Sequence, residues 1–177
     1  MLHGKHIRLA PLREADSKIL FEWINDRSLT LHSAAYKPVH EDSHQAWFRS
    51  ISQKPTVVYF AIRAVTDDTL IGTCQLHSIH AVFRSAELQI RIGSAANMSK
   101  GYGTEAVNLL LSHAFRDLNL QRVDLHVFAD NARAIKTYKK CGFQHEGVKR
   151  RAAWIDNEWR DLVLMSILRE EWETSKT

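Results

Sequence analysis

Apolar residues change their spacing several times along the chain, and each change marks an element. Positions 6–10 alternate polar and apolar and are ended by Pro11, the pattern of a short strand. In 14–27, Ala15, Ile19, Leu20, Trp23 and Ile24 recur at three- and four-residue steps and predict a helix. Residues 30–40 have no period and contain Pro38, which predicts a loop. A second amphipathic helix is expected over 40–52, anchored by Ala46, Trp47, Phe48 and Ile51. After Pro55 the period shortens to two, and 57–65, 70–79 and 86–92 read as strands. Asp67-Asp68 and 80–85 separate them, and turns this short favour an antiparallel meander.

The stretch that follows organises the rest. In the strand 86–92, Ala86, Leu88, Ile90 and Ile92 point one way and Glu87, Gln89 and Arg91 the other. In the helix that ends near 118, Val107, Leu110, Leu111, Ala114 and Leu118 form one face. Between them runs Asn-Met-Ser-Lys-Gly-Tyr-Gly-Thr-Glu-Ala at 97–106, so Gly101 and Gly103 leave a strand and open a helix. A helix N-terminus offers unpaired N–H groups and a partial positive charge, and glycine lets an anion approach the backbone. Lys100 adds a full charge. The nucleoside-triphosphate loop G-x-x-x-x-G-K-[ST] does not occur. Residues 101–106 fit G-x-G-x-x-G/A, but a dinucleotide loop begins directly at the strand end, and 93–100 intervene here.

Val123, Leu125 and Val127 mark a further strand over 122–128. Asp130 or Asn131 can cap a helix at 132–140, which Gly142 ends. Two long strands, 143–151 and 159–168, are joined through Asp156-Asn157. The order β-α-α-β-β-β-α-β-α-β-β predicts an α/β (α+β) fold: a mixed, mostly antiparallel sheet of six to seven strands flanked by about four helices, one domain over 1–177. The chain has 177 residues, 45% hydrophobic and 25% charged, which suits one globular unit. Its net charge of +4 is scattered, which argues against a nucleic-acid partner. Two cysteines make no disulfide framework, and no apolar run reaches ~20 residues, so no membrane partner and a cytoplasmic location are expected. The ten histidines show no metal-binding spacing, and no metal is expected.

The glycine loop and the segment N-x-x-A-x-x-x-Y-x-K-x-G-F at 131–143 together resemble the GNAT N-acetyltransferase superfamily, whose element order matches nearly the whole chain. The branches most similar are those of the ribosomal-protein, polyamine and amino-sugar acetyltransferases. The resemblance implies the acyl-coenzyme A N-acyltransferase fold, acetyl-coenzyme A as cofactor, and direct transfer of the acetyl group to a primary amine. The superfamily's Q/R-x-x-G-x-G/A loop maps to Met98, Ser99, Lys100, Gly101, Tyr102 and Gly103, with Thr104 following. Its amides would hold the pyrophosphate. Ile90, Arg91 and Ile92 would pair with the pantetheine arm, and Asn131 and Ala134 would contact it. Tyr138 would face the sulfur as general acid, and Glu87, fourteen residues before Gly101, would be the base. Met98 departs from the usual Gln or Arg, and the loop amides and Lys100 are expected to supply the donors instead.

The acceptor, a small-molecule or peptide amine, would enter between the N-terminal helices, the loop 30–40 and the C-terminal hairpin. Trp23, Asn25, Tyr36 and Glu87 are its candidate contacts. Lys149-Arg150-Arg151 on the hairpin, with Lys37 in the loop, would repel a polycation and suit an amine attached to something anionic or neutral, such as a nucleotide-linked amino sugar or a protein N-terminus. A polyamine acetyltransferase stands as the alternative within the enzyme class. A non-catalytic acyl-coenzyme A sensor is the rival outside it. A homodimer is left open.

Overall fold

The computed structural model describes residues 1–31 and 33–175. His32, in the expected loop 30–40, and Lys176 and Thr177, at the end of the expected domain, lie outside the described residues. Strands β1 (Leu2–His3) and β2 (Ile7–Ala10) open the chain, followed by helices α1 (Asp16–Asn25), α2 (Arg27–Thr30) and α3 (Glu41–Ser50). Strands β3 (Val58–Ala64), β4 (Leu70–His80) and β5 (Ser85–Ile92) come next. The glycine loop leads into α4 (Tyr102–Ser112), which widens into a π turn over His113–Asp117. Then come β6 (Arg122–Phe128), α5 (Ala132–Lys140), the hairpin β7 (Gln144–Ile155) and β8 (Glu158–Leu168), and α6 (Arg169–Thr174).

The eight strands form one sheet in the order β1-β2-β3-β4-β5-β6-β8-β7, one strand more than the upper expectation. The extra strand is β1, two residues opposite Leu9 and Arg8, too short to show an alternation. Two short helices also escape the periodicity. α2 forms because the Asp26 carboxylate accepts from the Ser28 and Leu29 N–H groups, within what reads as a polar helix end. α6 is a mostly charged run held by one apolar residue, Trp172, whose ring lies 5.4 Å from that of Phe115. β7 runs to Ile155 rather than 151 because the pairing shifts between Lys149 and Ala153 and then resumes. Asp156 and Asn157 make the turn, both with positive φ (51° and 65°), as a two-residue hairpin requires.

The period of two sends neighbours to opposite faces. Ile62 belongs to the main core together with Ile7, Leu88 and, from α4, Val107 and Leu110. Ala61, next to it, packs with Leu20 of α1 and Phe48 of α3. Helices α4 and α5 thus cover one face, and α1 and α3 the other. Across the second face the buried Arg63 donates from Nη2 to both Asp16 carboxylate oxygens at 2.6 Å, tying the start of α1 to β3.

Candidate active site

All pairings in the sheet are antiparallel except one. β5 and β6 run parallel, and they pair only at Ser85 with Arg122, Ala86 with Val123 and Glu87 with Asp124. Beyond Glu87 the two strands part, although β5 continues to Ile92 and β6 to Phe128. The Gly93 N–H donates to the Ile71 carbonyl on the β4 side at 2.9 Å. By alternation, Ile92 and Ile90 turn their backbone groups toward the gap.

A cleft of about 540 Å³ fills that gap. Ile90, Arg91 and Ile92 wall it on one side, and His126, Val127 and Phe128 on the other. Its far end is closed by the glycine loop, through Met98, Ser99, Gly101, Gly103 and Thr104. Gly101 stands at φ +85°, a left-handed conformation that favours glycine, and it precedes the first turn of α4. Among the described residues no side chain caps that turn, which leaves its N–H groups for an anion. A Cβ built on Gly103 would meet nothing within 4 Å. These features fit a phosphate at the loop and an extended arm between the strands.

Gly103, unlike Gly101, can therefore carry a side chain without backbone strain. Gly103→Val should keep the fold, seen as unchanged circular dichroism, while coenzyme A affinity measured by calorimetry falls about tenfold or more, ~1.4 kcal/mol. Undiminished affinity would remove the loop from the cofactor site.

Helix α5 supplies the other wall with Asn131, Ala134 and Tyr138. Asn131 is the cap: its side-chain oxygen accepts from the Ala134 N–H at 3.1 Å, which leaves its amide N–H₂ for a ligand. Tyr138 is 8% exposed and packs edge-on to Phe143, ring centres 5.8 Å apart. Burial, and secondarily the nearby Cys141 thiol, push its pKa up to about 12. No described protein group takes its hydroxyl.

Glu87 lies where the strands still pair and lines neither cavity. His126 Nδ1 stands 3.1 Å from Glu87 Oε1, and His77 Nε2 is 3.9 Å from the same oxygen. His126 reaches the cleft, and its Nε2 is buried with no hydrogen-bond partner among the described residues. It was not among the candidates from sequence. The polar positions Asp124 and His126 of β6 mark the right face, but their neighbour Glu87 is set by a long-range pairing.

Four other candidates sit elsewhere. Lys100 is exposed and lines neither cavity. The Tyr102 ring packs on the main core. The Asn25 side chain is used internally, donating to the Phe21 and Val39 carbonyls and accepting from the Val39 N–H. Tyr36 is exposed and outside both cavities. Trp23 does line the second cavity, about 410 Å³ between α1, α3 and the sheet, which shares the lining residues Ser33, Gln89, Ile90 and Arg91 with the first. The Trp23 ring occupies the place of a Gly93 Cβ, 2.1 Å away, so only glycine fits there. Both thiols, Cys74 and Cys141, are buried. Burial raises the pKa of Cys74, and Cys141 Sγ donates to the Thr104 carbonyl at 3.7 Å.

The family model for the acetyltransferase (GNAT) domain matches residues 6–144. The chain belongs to the GNAT acetyltransferases. It is 28% identical over 176 residues to the probable N-acetyltransferase YjcK of Bacillus subtilis strain 168, covering 95% of this chain and 97% of that one. It is 34% identical over 113 residues to the spermidine N(1)-acetyltransferase of Vibrio cholerae, covering 62% of this chain and 65% of that one. A crystal structure of spermidine N-acetyltransferase from Vibrio cholerae in complex with CoA and spermine superposes with a TM-score of 0.89 at 26% identity, over 96% of this chain and 99% of the other. This GNAT protein is thus an acyltransferase, an N-acetyltransferase that uses acetyl-coenzyme A. Among its described residues no helix is long and apolar enough to cross a membrane.

Proposed function

We propose that this acetyltransferase holds coenzyme A in the cleft between β5 and β6 and receives a primary amine through the second cavity. The observation that carries the reading is that the two cavities share Ser33, Gln89, Ile90 and Arg91 in their walls, beside the backbone edge of β5 that β6 leaves unpaired. When bound, acetyl-coenzyme A supplies the thioester that the amine attacks.

The loop amides at Gly101 to Thr104 and the Asn131 amide would hold the cofactor. A backbone N–H of β5 at Ile90 or Ile92, aimed into the gap, would donate to the carbonyl oxygen. Glu87 and His126 would receive the amine's proton. With Nδ1–H donating to the carboxylate, His126 presents a lone pair at Nε2 that no described group takes, and the carboxylate stabilises the imidazolium that forms. Tyr138 would donate its hydroxyl proton in a hydrogen bond at the sulfur. A phenol at about 12 stays protonated through the working pH range.

The test is release of free thiol from acetyl-coenzyme A with a mixture of amines. Coenzyme A binding with no thiol release from any amine would make the protein an acyl-coenzyme A sensor. Glu87→Gln keeps the shape and removes the charge, so turnover should fall most at low pH, where the acceptor is protonated, and recover as pH rises. Equal losses at every pH would make the residue structural or positional. A second reading, a polyamine acceptor, draws on the names of the relatives from Vibrio cholerae and Escherichia coli, which are spermidine N(1)-acetyltransferases.

A further inference from the structure

The polar groups lining the second cavity are mostly matched with one another or with nearby backbone. The Tyr59 hydroxyl donates to Thr73 Oγ1 at 3.1 Å. The Gln75 amide donates to the Gln89 side-chain oxygen. His44 Nε2 lies 2.9 Å from the Ser17 carbonyl. Arg91 differs. Its guanidinium donates from Nη2 to Ser33 Oγ at 3.2 Å, and among the described residues no carboxylate stands within ion-pair distance of it. A guanidinium has five N–H donors, so one neutral hydroxyl leaves most of it unmatched. Burial lowers its pKa, a sign that the charge is poorly solvated where it stands.

The lining is as informative in what it holds of the opposite sign. Among the described residues neither cavity is lined by an Asp or a Glu. A polycation entering here would meet a like charge and no counter-ion. An oxyanion would meet a planar fork of donors that binds carboxylate or phosphate in two parallel hydrogen bonds. The remaining wall is apolar and aromatic, with Leu20, Trp23, Ile24 and Trp47. Its volume of about 410 Å³ is at the small end of ligand pockets, which run to roughly 1,000 Å³.

We propose that the acceptor is a small amine carrying an acidic group, a carboxylate or a phosphate, which Arg91 binds at the wall the two cavities share while the rest of the molecule lies against Trp23 and Trp47. This rests on the acceptor route proposed above and names the chemical class that uses it. The basic run Lys149-Arg150-Arg151 has no part in it: those residues are exposed and line neither cavity.

Matched amines that differ by the acidic group test the proposal. With acetyl-coenzyme A, kcat/KM would be measured for phenylalanine against phenethylamine, 4-aminobutyrate against butylamine, phosphoethanolamine against ethanolamine, and for spermidine. At least one acidic amine should exceed its neutral partner by tenfold or more and exceed spermidine, and the pair that does so says whether carboxylate or phosphate is read. Arg91→Gln should bring that ratio close to one, acting through KM rather than kcat. The ratio compares two substrates on one preparation, so it is unaffected by any fraction of misfolded variant. No preference for an acid in any pair, spermidine as the best substrate, or an unchanged ratio in Arg91→Gln would each overturn the proposal. Calorimetry of wild-type protein with coenzyme A separates the two readings. Tight binding with no acid preference removes this inference alone, whereas no binding and no acetylation of any amine removes the acceptor route as well.

Discussion

Turnover of Tyr138→Phe is expected to fall by roughly 10²-fold while coenzyme A affinity holds, because the substitution keeps the ring and removes only the donor. The ring already fills its place, buried and edge-on to Phe143. The raised pKa refines the role. Burial holds the pKa of the phenol up at about 12, so the hydroxyl keeps its proton through the working pH range. In the proposed mechanism Tyr138 would therefore act as a hydrogen-bond donor to the departing sulfur. Two measurements check this. The pH–rate profile of the wild type should show no fall assignable to Tyr138 below about pH 10, since burial moves its titration upward. A variant with wild-type turnover would remove the hydroxyl from the chemistry.

Asp16→Ala is expected to cost about 3–5 kcal/mol of stability. Arg63 is 4% exposed and its Nη2 faces both Asp16 oxygens, so the substitution leaves a buried guanidinium with no counter-charge except Asp68, whose carboxylate is 3.8 Å from Nε. The Arg13 N–H loses its acceptor at the same time. Urea denaturation measures the loss. The paired variant Asp16→Ala with Arg63→Met should regain much of it, because an apolar pair needs no compensation in the interior. A loss below ~1 kcal/mol for Asp16→Ala would mean that the pair is solvated and weak.

Local order was legible wherever the chain repeats a pattern long enough to count. The strands β3, β4 and β5, the helices α1, α3, α4 and α5, and the Asp156-Asn157 turn all follow from spacing and turn chemistry. β1, α2 and α6 did not, since two, four and six residues cannot establish a period. The glycine loop was readable because a strand, two glycines and a helix are consecutive. The partner of Glu87 was not, because it sits on β6, 39 positions away, across a pairing no local pattern encodes. The placement of charge was not legible either. Lys100 and the run 149–151 are conspicuous in sequence yet exposed, whereas the cation that matters to the second cavity is Arg91, which reads simply as the polar side of a strand.

The three pairs between β5 and β6 also divide the sheet by how it can assemble. From β1 to β5, each strand pairs with the one before it in sequence. From β6 to β8, the contacts are again between near neighbours. Loop-closure entropy is small within each group, and only the parallel seam requires a long crossover, through α4. The two groups are thus local-folding units, and the seam between them is short in backbone hydrogen bonds while α4 and α5 contribute the apolar packing that spans it. A molecule lying along the gap would take the place of the missing ladder. Occupancy of the site would then add, across the seam, backbone hydrogen bonds that β5 and β6 do not make with each other.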